Sequence, residues 1–202
     1  MSASRIASAF RLCLAGLWVL LATTGCASLP GPDAPISYID ESSGATITTV
    51  GRPLVFARER PNFAVHMRDY ITLAAAAVNR SGKIEYVLIC YFWSTFDPHA
   101  QEGDTAARQP DELTVMADDR RITLVRLDRS AHEAGVDEPT DAPGVGASPP
   151  TLYHTDPATL RFIAAARTLG AKSRINNKEL NYEVWQDGRA SLSQWLNHLA
   201  ND

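Results

Sequence analysis

Short runs of hydrophobic residues, many of them alternating with polar ones, indicate strands over most of the chain. The runs are rich in β-branched and aromatic side chains, and clusters of Gly, Pro, Asn, Asp and Ser separate them. The pattern predicts seven strands in the first two thirds of the chain: Ile36–Asp40, Ala45–Val50, Pro53–Glu59, Tyr70–Val78, Ile84–Ser94, Leu113–Met116 and Arg121–Leu127.

The clearest hairpin is predicted around residues 79–83, where the polar sequence NRSGK separates two apolar arms. The second arm, Ile84–Ser94, is apolar almost throughout, as expected for a strand that is covered on both faces. The first arm contains Ala74–Ala77, which alone would favour a helix. We still predict a strand there, because aromatic and β-branched residues flank the alanines and the second arm needs a partner.

The last third of the chain contains the helical signals. Asp156 followed by Pro157 is a typical helix start, and it predicts a helix over Pro157–Leu169. A strand over Leu180–Trp185 and an amphipathic helix over Arg189–Ala200 follow. Strands first and helices last predict an α+β protein, with a mostly antiparallel β-sheet or open sandwich and two C-terminal amphipathic helices.

The first 25 residues have the pattern of a secretory signal. Two arginines without an acidic neighbour precede the apolar run Leu12–Ala22. A helix of that length spans about 16 Å at roughly 1.5 Å per residue, whereas the hydrocarbon core of a bilayer is about 30 Å thick. The run therefore suits the apolar core of a signal peptide better than a membrane span.

The signal ends in a small residue followed by a cysteine, Gly25-Cys26, although Thr23 stands where leucine is usual. Here the chain resembles a bacterial lipoprotein precursor, over residues 1–26 only. The resemblance implies that Cys26 is lipidated, with acyl chains such as palmitate, and becomes the mature N-terminus. Because Ala27 rather than aspartate follows, it also implies an outer-membrane lipoprotein on the periplasmic face.

Processing would leave a lipidated, proline-rich tether at residues 26–35 and one domain over residues 36–202, with a flexible loop within 128–150. The 202-residue chain is 45% apolar and 21% charged, as is usual for one globular domain. Removing residues 1–25 takes away two of the 19 basic residues and none of the 23 acidic ones, so the formal charge changes from −4 to −6. Without a basic stripe, no nucleic-acid partner is expected.

One loop directly after the most apolar strand carries a set of potential metal ligands. Asp97, His99, Glu102 and Asp104 offer oxygen and imidazole donors at close spacing that could bind a divalent ion. Their spacing does not match a calcium-binding EF-hand loop, which needs acids at alternate positions and a distal glutamate. A solvated acidic loop without a ligand is the alternative, and no cofactor is predicted.

No catalytic motif in the sequence is complete. His132-Glu133 begins like a zinc-protease motif, but Val136 stands where the second histidine is required. Ser191 and His198 are two helical turns apart, about 10 Å, which is too far for a hydrogen bond.

Cys90 lies in the most apolar strand and is expected to be a buried thiol, the one cysteine left free once Cys26 is lipidated. The aromatic residues of segment 91–96 are expected to pack in the core, with a groove for a lipid or a partner helix as the alternative. Trp185 and Trp195 are expected to line one seam between helix and sheet.

These features favour a non-enzymatic interaction or envelope-assembly module with a membrane anchor and an envelope protein as partner. A small-ligand protein, a metal-binding protein or a hydrolase stays open, because loops 97–112 and 128–155 could meet over a pocket at one end of the sheet. The pattern of the last strand and helix is also similar to that of secreted proteins of the invasion-associated locus B type, which implies no activity here.

Overall fold

The computed structural model describes residues 31–60, 68–95, 109–136 and 149–201. The chain divides between Gly31 and Pro32 into two units, and every element below belongs to the second. None of the described helices is long and apolar enough to cross a bilayer. In chain order the elements are β1 (Ile36–Ile39), β2 (Thr46–Thr49), β3 (Leu54–Glu59), β4 (Arg68–Arg80), β5 (Lys83–Ser94), β6 (Glu112–Ala117), β7 (Arg120–Arg126), α1 (Ala131–Ala134), β8 (Thr151–His154), α2 (Pro157–Ala165), β9 (Leu169–Ile175), β10 (Lys178–Gln186) and α3 (Arg189–Asn201).

Eight strands close into an antiparallel barrel in the order β4-β3-β10-β9-β6-β7-β8-β5, and β5 pairs back onto β4. β1 and β2 extend the sheet outside the barrel, because β2 pairs with the second half of β4 while β3 pairs with its first half. Only about 19% of the described structure is helical. The predicted α+β class with an open sandwich is therefore wrong, and the protein is mostly β.

Two strands that the sequence pattern did not indicate make the difference. The predicted helix Pro157–Leu169 ends at Ala165, and β9 begins at Leu169. Thr151–His154 forms β8, at the border of the predicted loop. β9 joins β6 to β10, and β8 joins β5 to β7, so these two strands supply the pairings that close the barrel. A sheet without them has open edges, which is what we predicted.

The predicted hairpin at residues 79–83 is confirmed, with a tighter turn than expected. Only Ser81 and Gly82 lie between β4 and β5, and both have positive φ, 54° and 86°. Two such residues form a type I′ turn, whose twist matches that of the flanking strands. The turn aligns β4 with β5 from Arg80↔Lys83 to Asp69↔Ser94, and this long ladder keeps Ala74–Ala77 extended despite their helical propensity.

The barrel interior is filled with apolar side chains. Leu160 and Ile163 of α2 and Leu192 of α3 close one end, where they face side chains of β4, β5 and β6. The space left between the helices and the barrel is about 10 Å³, no more than one water molecule occupies. We call this the helix end of the barrel.

The chain enters the domain at the helix end. The hydroxyl of Ser191, in the first turn of α3, donates to the carbonyl of Asp33 at 3.1 Å and accepts the backbone N–H of Arg52 at 2.9 Å. The Asp33 carboxylate also lies 3.4 Å from the guanidinium of Arg52. At the opposite end, which we call the rim, β3, β5 and β9 end and β4, β6 and β10 begin.

A second apolar layer covers part of the outer wall. Ala131 and Ala134 of α1 and the following Val136 are buried. These residues lie within the loop predicted at 128–150, and Ser130 and Glu133 cap α1 reciprocally through their side chains and backbone N–H groups. The guanidinium of Arg80, at the end of β4, donates to the carbonyl of Ala134 at 2.8 Å and ties this layer to the barrel.

Candidate functional site

Three aromatic side chains pack together on the outer wall next to the rim. Tyr70 and Trp93 are paired across β4 and β5, and their rings stack with centroids 3.9 Å apart and planes 8° from parallel. Trp185 meets the ring of Tyr70 edge-on, at 5.9 Å and 79°. Ala57 of β3 pairs with Tyr70, so a small side chain lies on the strand between Tyr70 and Trp185.

Trp185 is exposed by an irregularity in β10. The register of β10 against β3 shifts between Val184 and Gln186, and Trp185 is the additional residue. Such a bulge re-aims a side chain and interrupts the regular alternation. Trp185 keeps 56% of its surface accessible, whereas Tyr70 behind it keeps 5%. The bulge therefore presents one large aromatic ring to solvent on a rigid wall.

An arginine completes this group of residues. The guanidinium of Arg68 lies 4.6 Å from the ring centroid of Trp185 and donates to the carboxylate of Glu59 at 2.7 Å. A cation over an indole face is attracted by the electrons of the ring. Behind it, the indole N–H of Trp93 donates to the hydroxyl of Thr72 at 3.0 Å. We call Arg68, Tyr70, Trp93 and Trp185 together the aromatic rim surface.

An ion cluster lies beside the aromatic rim surface, on the side of β3 and β4 that faces the barrel mouth. The carboxylate of Asp69 accepts from Arg58 at 2.6 Å and from the Nε of Arg60 at 2.8 and 2.9 Å. Burial alone raises the pKa of Asp69, but the hydrogen bonds from Arg60 and Arg58 outweigh it, and the pKa lies below its usual value. Asp69 is therefore ionised at neutral pH and holds both arginines in place.

Two open recesses flank these residues. A groove of about 390 Å³ on the outer wall is lined by Ala57, Arg68, Asn181, Glu183 and Trp185, among others. A smaller recess of about 160 Å³ at the rim lies between the ion cluster and apolar side chains, and Arg58 borders both. The lining residues of the two recesses include three arginines and three acidic residues, so this part of the surface has no net charge.

Replacing Asp69 by asparagine is expected to lower the free energy of unfolding by about 2 kcal/mol, because two partly buried arginines lose their counter-ion. In a domain of this size the melting temperature should fall by roughly 4–8 °C, measured by circular dichroism. The matched control is Glu59→Gln, which removes the exposed carboxylate next to Arg68 and should cost less than about 1 kcal/mol. Equal losses in the two variants would show that the Asp69 cluster does not stabilise the rim.

The residues predicted as metal ligands, Asp97, His99, Glu102 and Asp104, lie outside the described residues, and so does Cys26. Within the described ranges, no three His, Cys, Asp or Glu side chains are close enough together to hold a metal ion.

The described parts of loops 97–112 and 128–155 contact different parts of the barrel. Asp111 lies at the rim, where its backbone N–H donates to the backbone carbonyl of Arg174 and its carboxylate accepts from the backbone N–H of Asn176. Arg129 instead pairs with Glu85 near the start of β5. The structure therefore brings no pocket together from the described residues of these two loops.

The other residues singled out from the sequence are placed as follows. Cys90 is fully buried inside the barrel, and burial raises the pKa of its thiol, as expected for a structural residue. Tyr91 and Trp93 lie on the face opposite Phe92, as the alternation predicts. The prediction that Trp185 and Trp195 line one seam is wrong, because Trp195 of α3 is buried against the barrel and Trp185 lies exposed on the outer wall.

Comparison with known proteins adds no relative: no protein-family model matches the chain, and neither a curated protein nor a solved structure matches it. The class of protein is therefore defined by the structure alone. It is a small closed antiparallel barrel with two helices at one end and an exposed aromatic and arginine surface on its outer wall.

Proposed function

We propose that this chain is an outer-membrane lipoprotein whose periplasmic domain is a non-enzymatic interaction module, binding an envelope protein through the aromatic rim surface. The observation that carries the proposal is Trp185, an exposed indole held between Arg68 and Tyr70. Trp, Tyr and Arg dominate the binding energy of protein interfaces. A ring that is already held in position also loses little side-chain entropy on binding.

The filled interior favours binding on the wall over binding inside the barrel. The cavity between the helices and the strands is about 10 Å³ and the recess at the rim is about 160 Å³, both below the several hundred Å³ of a typical ligand pocket. The groove beside Trp185 is about 390 Å³ and open to solvent. Because its charges are balanced, it suits a partner surface of mixed charge that contributes an apolar side chain to lie against Trp185.

The course of the chain supports the same arrangement. Asp33 is held at the helix end by Ser191 and Arg52. Six residues lie between Cys26 and Asp33, and the seven Cα–Cα steps span at most about 25 Å when fully extended. A lipid on Cys26 would therefore tether the domain by its helix end, while the rings of the aromatic rim surface lie on the outer wall.

A photo-crosslinking residue at Glu183, next to Trp185 in the groove, tests this proposal in cells. We expect an adduct with an envelope protein, which the change Trp185→Ala should abolish. For the purified pair, loss of the indole should weaken binding about 30-fold, equivalent to roughly 2 kcal/mol.

The matched control for the crosslinking experiment is Val125→Ala, which removes an exposed apolar side chain elsewhere on the outer wall. This variant should keep both the adduct and the affinity. An adduct that survives Trp185→Ala unchanged, or no adduct from position 183, would contradict the proposal.

A further inference from the structure

We propose that β1 pairs with β1 of a second copy of this chain, so that two barrels share one continuous antiparallel sheet. In the strand order of the described residues, β1 is terminal and pairs only with β2. At the other end of the order, β5 pairs with β4 along its whole length and with β8 over Val87–Cys90. Among the described strands, β1 is thus the one with a whole edge that pairs with no other strand.

The backbone groups that point away from β2 follow from the hairpin geometry. The N–H of Asp40 donates to the carbonyl of Ala45 at 2.9 Å, so Asp40 and Ala45 face each other as a hydrogen-bonded pair. Because bonded and non-bonded pairs alternate in antiparallel strands, Ser37 and Ile39 direct their N–H and C=O groups away from β2. The 3.0 Å contact between the hydroxyls of Ser37 and Thr48 fits the closer side-chain approach of a non-bonded pair.

The side chains of β1 do not prevent strand addition. Natural edge strands are protected by lysine, proline, bulges or shortness. β1 has only four residues and follows Pro35, but its own residues, Ile-Ser-Tyr-Ile, include no charge and no proline, and it pairs with β2 without a register shift. Ile39 keeps 67% of its surface accessible and Ile36 keeps 42%. An uncharged edge with exposed isoleucines favours association through this strand.

A second copy fits this edge because β1 is complementary to itself. A two-fold axis at Tyr38 places Ser37 opposite Ile39 of the other copy, and the two pairs exchange four backbone hydrogen bonds. Each Ile39 side chain then lies over the small Ser37 of its partner strand. The lipid anchor proposed above would add to this by confining both copies to one membrane, whereas the edge geometry does not depend on the anchor.

Cysteine pairs test the register in the full chain. Residues at the axis form a non-bonded pair with Cα atoms about 4.5 Å apart, within the range of a disulfide. We expect Tyr38→Cys to form a disulfide-linked dimer under oxidising conditions, whereas Ser37→Cys alone should form little. If Tyr38→Cys fails to fold, co-expression of Ser37→Cys and Ile39→Cys chains gives a second measurement, in which the mixed dimer is expected.

A charge placed on the edge tests the association itself. Ile39→Lys is expected to reduce the dimer fraction at least tenfold, measured by sedimentation in detergent, while Val125→Lys, a site of equal 67% exposure, should leave it unchanged. A chain that stays monomeric in detergent and in vesicles would overturn the inference. The inference would also be overturned if the cysteine variants formed disulfides with other polypeptides and none with a second copy of the chain. Dimers of an unlipidated Cys26→Ser chain at high concentration would support the inference even if the anchor proposal failed.

Discussion

Replacing Trp195 by alanine is expected to lower the free energy of unfolding by about 4 kcal/mol. Trp195 is fully buried, at the position where α3 packs against the barrel. Its ring meets Tyr86 edge-on at 6.2 Å, and its indole N–H donates to the carbonyl of Thr48 at 3.0 Å. The substitution therefore leaves a cavity, removes an aromatic contact and removes one of the hydrogen bonds to the carbonyl of Thr48.

The melting temperature of Trp195→Ala should fall by roughly 8–16 °C, since about 1 kcal/mol corresponds to 2–4 °C in a domain of this size. Trp195→Phe keeps most of the volume and should cost about 1.5 kcal/mol, mainly through the lost hydrogen bond. The matched control is Trp185→Ala, the same substitution on the outer wall, with an expected cost of about 1 kcal/mol. Equal melting temperatures for the two alanine variants would show that Trp195 does not anchor α3.

Replacing Cys26 by serine is expected to release the protein from the membrane, which is the largest functional effect we predict. A thiolate is the nucleophile needed for thioether formation with a diacylglyceryl group, and serine does not replace it. Each buried CH₂ contributes about 0.8 kcal/mol, so two or three acyl chains hold a protein in the membrane almost irreversibly. A chain without acyl groups has no such anchor.

Labelling with a radioactive fatty acid, followed by membrane fractionation, measures the effect of Cys26→Ser. The wild-type chain should be labelled and sediment with membranes, and the variant should be unlabelled and extracted without detergent. Cys13→Ser is the matched control, because that cysteine lies in the predicted signal and its loss should change neither result. Equal labelling of the Cys26→Ser variant would contradict the anchor.

Features that depend on a few neighbouring residues were predicted well. The carboxylate of Asp156 accepts from the N–H groups of Ala158 and Thr159, so the predicted helix start is confirmed. The long hairpin over β4 and β5 is confirmed as well. In both cases the deciding contacts join residues that are close along the chain, and alternation or capping patterns reveal them.

Features that depend on distant partners were missed. The predicted helix ended at Leu169 and no element was predicted from there to Leu180, yet residues 169–175 form β9, because β6 and β10 pair with them on both sides. The candidate site was missed for the same reason. Tyr70 and Trp185 are far apart in sequence and meet only across β3, and the bulge that exposes Trp185 has no local sequence signal.

The sequence by itself determined the extended character of most of the chain, its tight turns and the helix start at Asp156, because local backbone preferences and side-chain period suffice for these. It also led to the prediction of a lipid anchor at Cys26. Only the tertiary structure decided that the sheet closes, that Trp195 is buried while Trp185 is exposed, and that Asp69 meets two arginines. Each of these depends on which strands pair, and pairing is a property of the whole barrel rather than of any one segment.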